Sequence, residues 1–391
     1  MPAKNYTAAI AGCGSIGEAH MEGYRGLDNV KVTACADPVK GARDTYMRQY
    51  GIELAYETVD EMVRKARPDI VSVCAWHKLH MPLTVAVAKA GGVKGIICEK
   101  PMATSLAEAD AMIEACEKNG VKLVISHQRR FTPGWEKARD LVKQGAIGKP
   151  QNVEIRVAEG LLNWGTHAID GARFVLGDPN PVWVMGAVER RTDRFERDTP
   201  IEDSCIGLVH FEDNVQFQIQ SDLYWEGGYD AGKFMVRGSE GMLWVEEMQV
   251  RLFNAETRGW KDVQLDAAEG AKAIGGATNA AQVQELVRWI EGGPAHRGAG
   301  RSARVTLEVM MALYESARRH HVIRLPLTER GYPLELMMSE GKLPVETPGR
   351  YDIRGFLKRD GIDEGEYAKL RASGVAHHEA MRRLHGAGRK G

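Results

Sequence analysis

Short apolar runs alternate with helix-patterned segments through the first third of the chain. Tyr6–Ala11, Val30–Ala36, Asp69–Ala75, Val93–Cys98 and Val121–Ile125 are the apolar runs, and Ile70, Val71 and Val73 are apolar on both faces. Strands buried on both sides read this way. Thr58-Val59-Asp60-Glu61 and Ser105-Leu106-Ala107-Glu108 are capping boxes that open two helices. The first ends near Arg67-Pro68. The second has apolar residues at 109, 112, 113 and 116 and stops at Asn119-Gly120. Pro82 to Ala90 reads as a further helix, closed by Gly91-Gly92. Alternation of this kind over residues 6 to about 126 predicts an α/β fold with a doubly wound parallel sheet.

After a helix from Trp135 to Gln144 the pattern changes. Val153–Val157, Val182–Glu189, Asp203–Phe211, Val215–Asp222, Lys233–Gly238 and Met242–Val245 follow one another, most of them across short turns. Consecutive strands without helices predict a large, mainly antiparallel sheet, here in an α+β domain. Two late helices, Asn279 to Glu291 and Ala303 to His320, return toward the core. Beyond Pro326, Pro333, Pro344 and Pro348 predict an extended path. Asp363 to Leu384 regains helical spacing at Tyr367, Leu370, Met381 and Leu384, broken at Gly374.

The length of 391 residues allows two ordinary domains and a tail. With 52 Lys and Arg against 53 Asp and Glu there is no basic excess for nucleic acid. No apolar run reaches membrane-spanning length, and Met1-Pro2-Ala3-Lys4-Asn5 lacks an apolar signal core. A cytoplasmic protein without nucleic-acid or membrane partners is expected. The six cysteines (13, 35, 74, 98, 116 and 205) show no C-x-x-C spacing and read as reduced small hydrophobes. No His/Asp/Glu cluster has ligand spacing on one element, so no metal is expected.

Candidate chemistry sits where strands end. Gly12-Cys13-Gly14-Ser15-Ile16-Gly17 follows the first strand directly and opens a helix, the context a G-x-G-x-x-G dinucleotide fingerprint requires. Gly12 permits the tight turn, Gly14 the approach of a pyrophosphate, and Gly17 close packing of helix and strand. Asp37 ends the second strand, where an acid accepts ribose hydroxyls and repels a 2′-phosphate. That favours NAD over NADP; a turn-starting Asp before Pro38 is the plain alternative. Trp76-His77-Lys78-Leu79-His80 follows the strand ending at Ala75. Glu99-Lys100-Pro101 closes the next, on the ligand side of such sheets. A solvated strand-end lysine is the plain alternative there.

The fingerprint, then Glu99-Lys100-Pro101, then Gly165-Thr166-His167-Ala168-Ile169-Asp170, in this order and spacing, resembles the Gfo/Idh/MocA oxidoreductases from about Tyr6 to Pro326. The resemblance implies an NAD-binding Rossmann domain over residues 1–126 and a substrate-binding and oligomerisation domain over 127–328. A C-terminal extension, 329–391, is left over, which either wraps a neighbouring subunit or hangs free. A homodimer or homotetramer through the C-terminal sheet is implied, as is a small carbohydrate substrate. Cofactor contacts fall on Gly12, Gly14, Ser15, Ile16, Gly17, Asp37, Ala75, Trp76, His80, Glu99 and Lys100. His77 reads instead as a solvated loop residue.

Function follows as NAD-dependent oxidation of a hydroxyl on a sugar, polyol or sugar derivative. A base must lie within hydrogen-bond reach of that hydroxyl. Lys100 and His167 are the catalytic candidates. Burial would lower the lysine, and histidine exchanges protons near neutral pH. The resemblance places Arg129 near the substrate, and Arg130-Phe131 matches a recurring pair at the domain junction; a surface arginine or an interdomain ion pair is the plain alternative for either arginine. Asp170, one turn past His167, would orient it, bind a substrate hydroxyl or anchor the helix start. Inositol-type relatives carry Asp where this chain has Asn163, and asparagine cannot take a proton. Asn163 and Asp170 join Arg129, Glu159 and Tyr224 as substrate-side candidates; Trp225 and Tyr229 lie alongside, and strand packing explains the aromatics equally well. An NAD-dependent glycoside hydrolase using transient C3 oxidation is the alternative. A non-catalytic dinucleotide sensor is a third reading, opposed by the retained Lys100 and His167.

Overall fold

Six short strands form one parallel sheet: β1 (Tyr6–Ala11), β2 (Val30–Ala36), β3 (Leu54–Tyr56), β4 (Ile70–Val73), β5 (Gly95–Cys98) and β6 (Lys122–Ile125), in the order β3-β2-β1-β4-β5-β6. The computed structural model describes residues 4–223, 233–266 and 275–387. Five strands match the expected runs. The sixth, β3, is an edge strand too short to show a period. Helices α1 (Ser15–Arg25), α2 (Lys40–Tyr50), α3 (Val59–Ala66), α4 (His77–Lys89) and α5 (Leu106–Lys118) connect them. The order reverses between β1 and β4, and ligands bind at such a switch point, outside the carboxyl ends.

Both capping residues work as expected. Thr58 Oγ1 accepts from Glu61 N at 3.2 Å, and Ser105 Oγ from Glu108 N at 3.3 Å. Glu108 turns its own carboxylate to Thr104 instead, accepting from its N and Oγ1. The helix expected from Pro82 begins at His77, so the Trp76–His80 stretch is a helix start rather than a loop. Pro82 lies inside α4, where it forfeits one backbone hydrogen bond.

A 3₁₀ turn, Gln128–Phe131, and α6 (Pro133–Lys143) lead into the second domain. Its strands are β7 (Pro150–Val157), β8 (Pro181–Glu189), β9 (Thr192–Glu196), β10 (Thr199–Pro200), β11 (Ser204–Phe211), β12 (Gln216–Ser221), β13 (Phe234–Gly238), β14 (Gly241–Val245), β15 (Val250–Asn254), β16 (Lys261–Asp262), β17 (Ile323–Arg324) and β18 (Thr347–Asp352). Nine make one sheet, β16-β15-β14-β13-β7-β12-β11-β8-β17, antiparallel except for the β7–β12 pair. The other three form the small sheet β10-β9-β18. Helices α7 (Thr166–Val175), α8 (Gly276–Ile290) and α9 (Gly300–Arg319) complete the domain. α9 packs on β8, where Gly186 leaves room: a Cβ there would stand 2.8 Å from the Leu313 carbonyl oxygen. Alternate residues face the other way, and there Met185 and Ile206 are 56% and 47% exposed.

The segment beyond Pro326 is more ordered than its prolines suggest. Pro333 sits in the first turn of α10 (Pro333–Ser339), where its missing N–H costs nothing. β18 then pairs with β9, and α11 (Glu364–Ala372) and α12 (His377–Ala387) follow, separated at Gly374. Leu357, Tyr367, Ala380 and Met381 form a small core of their own. In the single chain this segment lies on its own dinucleotide domain. Arg371 reaches Glu18 at 2.8 Å, and Glu364 fills the space beside Gly41. All six cysteines are free and buried. Among the described residues no helix is long and apolar enough to cross a membrane.

Candidate active site

At Gly12 and Gly17 the glycine loop has the close approaches that the fingerprint requires. Gly12 has φ +105°, and a side chain there would strike the Cys74 carbonyl. A Cβ at Gly17 would fall 2.5 Å from the Gly12 oxygen. At Gly14 it would meet nothing within 4 Å, so the loop faces open space. No side chain caps the N-terminus of α1, which leaves Ser15 and Ile16 at a helix start suited to phosphate. Asp37 accepts from Cys13 N at 2.9 Å and Val39 N at 2.8 Å. A carboxylate has about four acceptor sites, so capacity remains for ribose hydroxyls. Burial pushes this carboxyl up. These residues fit a dinucleotide.

Beside the loop lies a cleft of about 420 Å³, lined by Ser15, Ile16, Ala75, Glu99 and Lys100 with His77 and Arg197. Lys100 Nζ donates to the Asn163 carbonyl at 3.3 Å and to its Oδ1 at 3.5 Å. Loss of water and the nearby Arg197 lower the amine to about 8, against the pull of Glu99 and Glu196. Asn163 belongs to a π-helical turn, Leu161–Gly165. Carboxylates hold that turn: Asp222 accepts from Glu159 N and Gly160 N, and Glu202 from Leu161 N. The Trp164 ring next to Asn163 is shared ground. Lys100 Nζ lies 5.8 Å from it, the Arg129 guanidinium 5.1 Å and the His167 ring 5.5 Å. Lys100, Asn163 and His167 are thus brought together, 63 residues separating the first two.

His167 is buried on α7, and among the described residues its Nδ1 has no hydrogen-bond partner. Burial, with Lys100, Arg129 and His127, holds its ring well below the ordinary imidazole range. It is therefore neutral at neutral pH rather than titrating there.

Two family models match this chain. One, described as an oxidoreductase family with an NAD-binding Rossmann fold, covers residues 6–127. The other, the GFO/IDH/MocA C-terminal domain, covers 158–244. The chain belongs to the Gfo/Idh/MocA oxidoreductase family. Its similarity to myo-inositol 2-dehydrogenase of Thermotoga maritima is 28% identity over 61% of this chain and 75% of that protein. With D-apiose dehydrogenase of Paraburkholderia graminis it shares 25% identity over 86% of this chain and 94% of the relative. Aldose-aldose oxidoreductase of Caulobacter crescentus has the same fold, with a TM-score of 0.70 at 24% identity over 82% of this chain and all of that structure.

As a Gfo/Idh/MocA protein the chain binds NAD, yet several side chains do other work than expected. Both Asp170 oxygens accept from Arg130, at 2.7 Å each. Arg130 also holds Asp178 and the Arg297 carbonyl. Asp170 is thus the anchor of α7, neither orienting His167 nor open to substrate. His80 brackets two backbone loops, its ring nitrogens 2.8 Å from Pro101 O and 3.0 Å from Ala75 O; it is buried away from the cleft wall. Glu99 binds His20 at 2.9 Å. Burial pushes Glu99 up, but His20 and Lys100 carry it below the ordinary carboxylate value. Arg129 is paired with Glu247. Glu159 accepts from Trp164 Nε1 at 2.7 Å and from Arg354 at 2.5 Å. Trp76 carries Lys358 over its ring at 5.3 Å. Tyr224, Trp225 and Tyr229 lie outside the described residues.

Other cleft residues have no sequence signal. His77 is buried in the wall, not solvated, 3.2 Å from Glu196 of β9. Ala376, His377 and His378 reach the cleft from the segment after α11. Two larger grooves, about 610 and 680 Å³, are lined by none of the motif residues. Among the described residues no group of three or more His, Cys, Asp or Glu is placed to hold a metal.

Proposed function

We propose that this protein is an NAD-dependent oxidoreductase that acts on a hydroxyl of a sugar, polyol or sugar derivative. The observation that carries the reading is Lys100: an amine lowered to about 8, at the carboxyl end of β5, in one cleft with the glycine loop. Bound NAD would supply the hydride acceptor, held by Gly12, Gly14, Ser15, Ile16, Gly17 and Asp37. The chain supplies proton transfer and orientation. Neutral Lys100 takes the hydroxyl proton. Neutral His167 holds the same hydroxyl through Nδ1, which adds no charge to a buried site. Asn163 fixes the lysine's direction. The names of the relatives, an inositol and an apiose dehydrogenase, support a carbohydrate or polyol substrate.

Two coarser inferences accompany it. Six unbridged cysteines suit a reducing cytoplasm. The open face of the large sheet, with Met185 and Ile206, suits association of copies of this chain.

The purified protein, given NAD and a panel of sugars, polyols, acidic sugars and aryl glycosides, should accumulate reduced cofactor with one class. Lys100→Met should lower that rate at least about 100-fold, the scale of general-base catalysis, with NAD binding retained. Aglycone release without net reduced cofactor would overturn the reading in favour of a redox-neutral glycosidase.

A further inference from the structure

Among the described residues the Lys100 amine has no proton-exchanging group among its hydrogen bonds. It meets Asn163 only through a carbonyl and an amide oxygen, and neither takes a proton. Its electrostatic neighbours are the carboxylates Glu99 and Glu196 and the cations Arg197 and Arg129. His77, His127 and His167 also sense its charge. Glu99 is committed elsewhere, with Oε1 on His20 and Oε2 accepting the Lys100 backbone N–H.

Glu196 differs. It ends β9 with no exposure, and one oxygen pairs with Arg197. The other, Oε2, stands 3.2 Å from His77 Nε2 without hydrogen-bond alignment and has no hydrogen-bond partner among the described residues. His77 Nδ1 has none either, nor does Thr199 Oγ1, whose residue faces Glu196 across the β9–β10 pair. Buried polar atoms are rarely left so. Three such atoms, one on the carboxylate itself and two on residues beside it, next to a cleft that His77, Lys100 and Arg197 line together, mark a place where a proton or a polar ligand group is handled.

The geometry points to Glu196 as the acidic partner of Lys100, a positioning residue that counters the ammonium formed in the oxidation proposed above. The inference rests on that reading. When the substrate hydroxyl gives its proton to the amine, the new positive charge faces Arg197 and Arg129. The Glu196 carboxylate offsets them, and no bond at Glu196 forms or breaks. Burial pushes Glu196 itself up and Asp352 adds to this, while Arg197, Lys100 and Arg354 oppose. Without the Glu196 carboxylate only Glu99 opposes Arg197 and Arg129, and the ammonium gives up its proton at lower pH.

Competitive acetylation of the full chain, read at Lys100 by mass spectrometry across pH, measures that titration without turnover. The wild-type midpoint is expected near 8. Glu196→Gln should lower it by about one unit or more, the usual effect of one nearby charge, and Glu196→Asp should recover part of the shift. The acid limb of turnover should move with it. An unmoved midpoint in a folded, NAD-binding Glu196→Gln would overturn the inference and leave Glu196 as a structural partner of Arg197. Should that variant fail to fold, Glu196→Ala, which also removes the charge, is read in its place: a midpoint equal to wild type overturns the role. Since labelling needs no substrate, failure of the dehydrogenase reading shows separately, as no net reduced cofactor while the labelling shift persists.

Discussion

Asp170 shows how one side chain is judged by where its hydrogen bonds go. Its spacing from His167 suits a catalytic partner, but Arg130 takes both oxygens in a fully buried bidentate pair. Burial alone would raise this carboxyl; the charge of Arg130, with His127 and Arg173, holds it below the ordinary range. A depressed folded value means stability that is complete above the unfolded value, about 4, and lost as pH falls through the folded one. Asp170→Ala leaves Arg130 buried and half-paired, so it should cost about 3–5 kcal/mol in urea unfolding at neutral pH. The difference from wild type should shrink as the medium is acidified below about pH 4. Lys100, His167 and the three glycines were legible in the chain because each stands at a strand or helix end inside a local pattern. Glu196 and His77 were not. They meet in a contact between distant segments, and nothing in Phe195-Glu196-Arg197 distinguishes that glutamate from a solvated strand residue.

At the scale of elements, the alternation of apolar runs and capping boxes disclosed the parallel sheet and most of its helices, because each is a local periodic signal. The start of α4 was hidden by Pro82, whose local penalty is overridden by packing: His77 and His80 are both buried. The segment from β18 to α12 was half legible. Its helical spacing and the break at Gly374 are in the sequence; its docking is not. It is joined to the dinucleotide domain by Arg371–Glu18, Lys358 over Trp76 and the Glu364–Gly41 contact, and it gives His377 and His378 to the cleft. A chain ending at Glu346 should therefore release NAD at least about tenfold faster in stopped-flow fluorescence, equivalent to about 1.4 kcal/mol. An unchanged release rate would mean that these contacts do not confine the cofactor.

For the whole molecule, the two-domain plan follows from the change of pattern after residue 144, where helices stop separating the strands. The nine-stranded sheet then has α9 on one face and exposed apolar residues on the other. If copies associate there, Met185→Lys together with Ile206→Lys should lower the mass measured by sedimentation at micromolar protein, with the circular dichroism spectrum retained. A monomeric wild type would sink that assembly.

The position of α11 and α12 also bears on how the protein is made. The strands that bear the glycine loop are synthesised first, and domains generally fold as units in that order. Glu18, however, meets Arg371 only after 353 more residues have been added. A nascent dinucleotide domain therefore spends most of translation with its cofactor groove uncovered. NAD that enters during that interval meets an open groove, whereas NAD that binds the finished protein meets a cleft with His377 and His378 already in its wall.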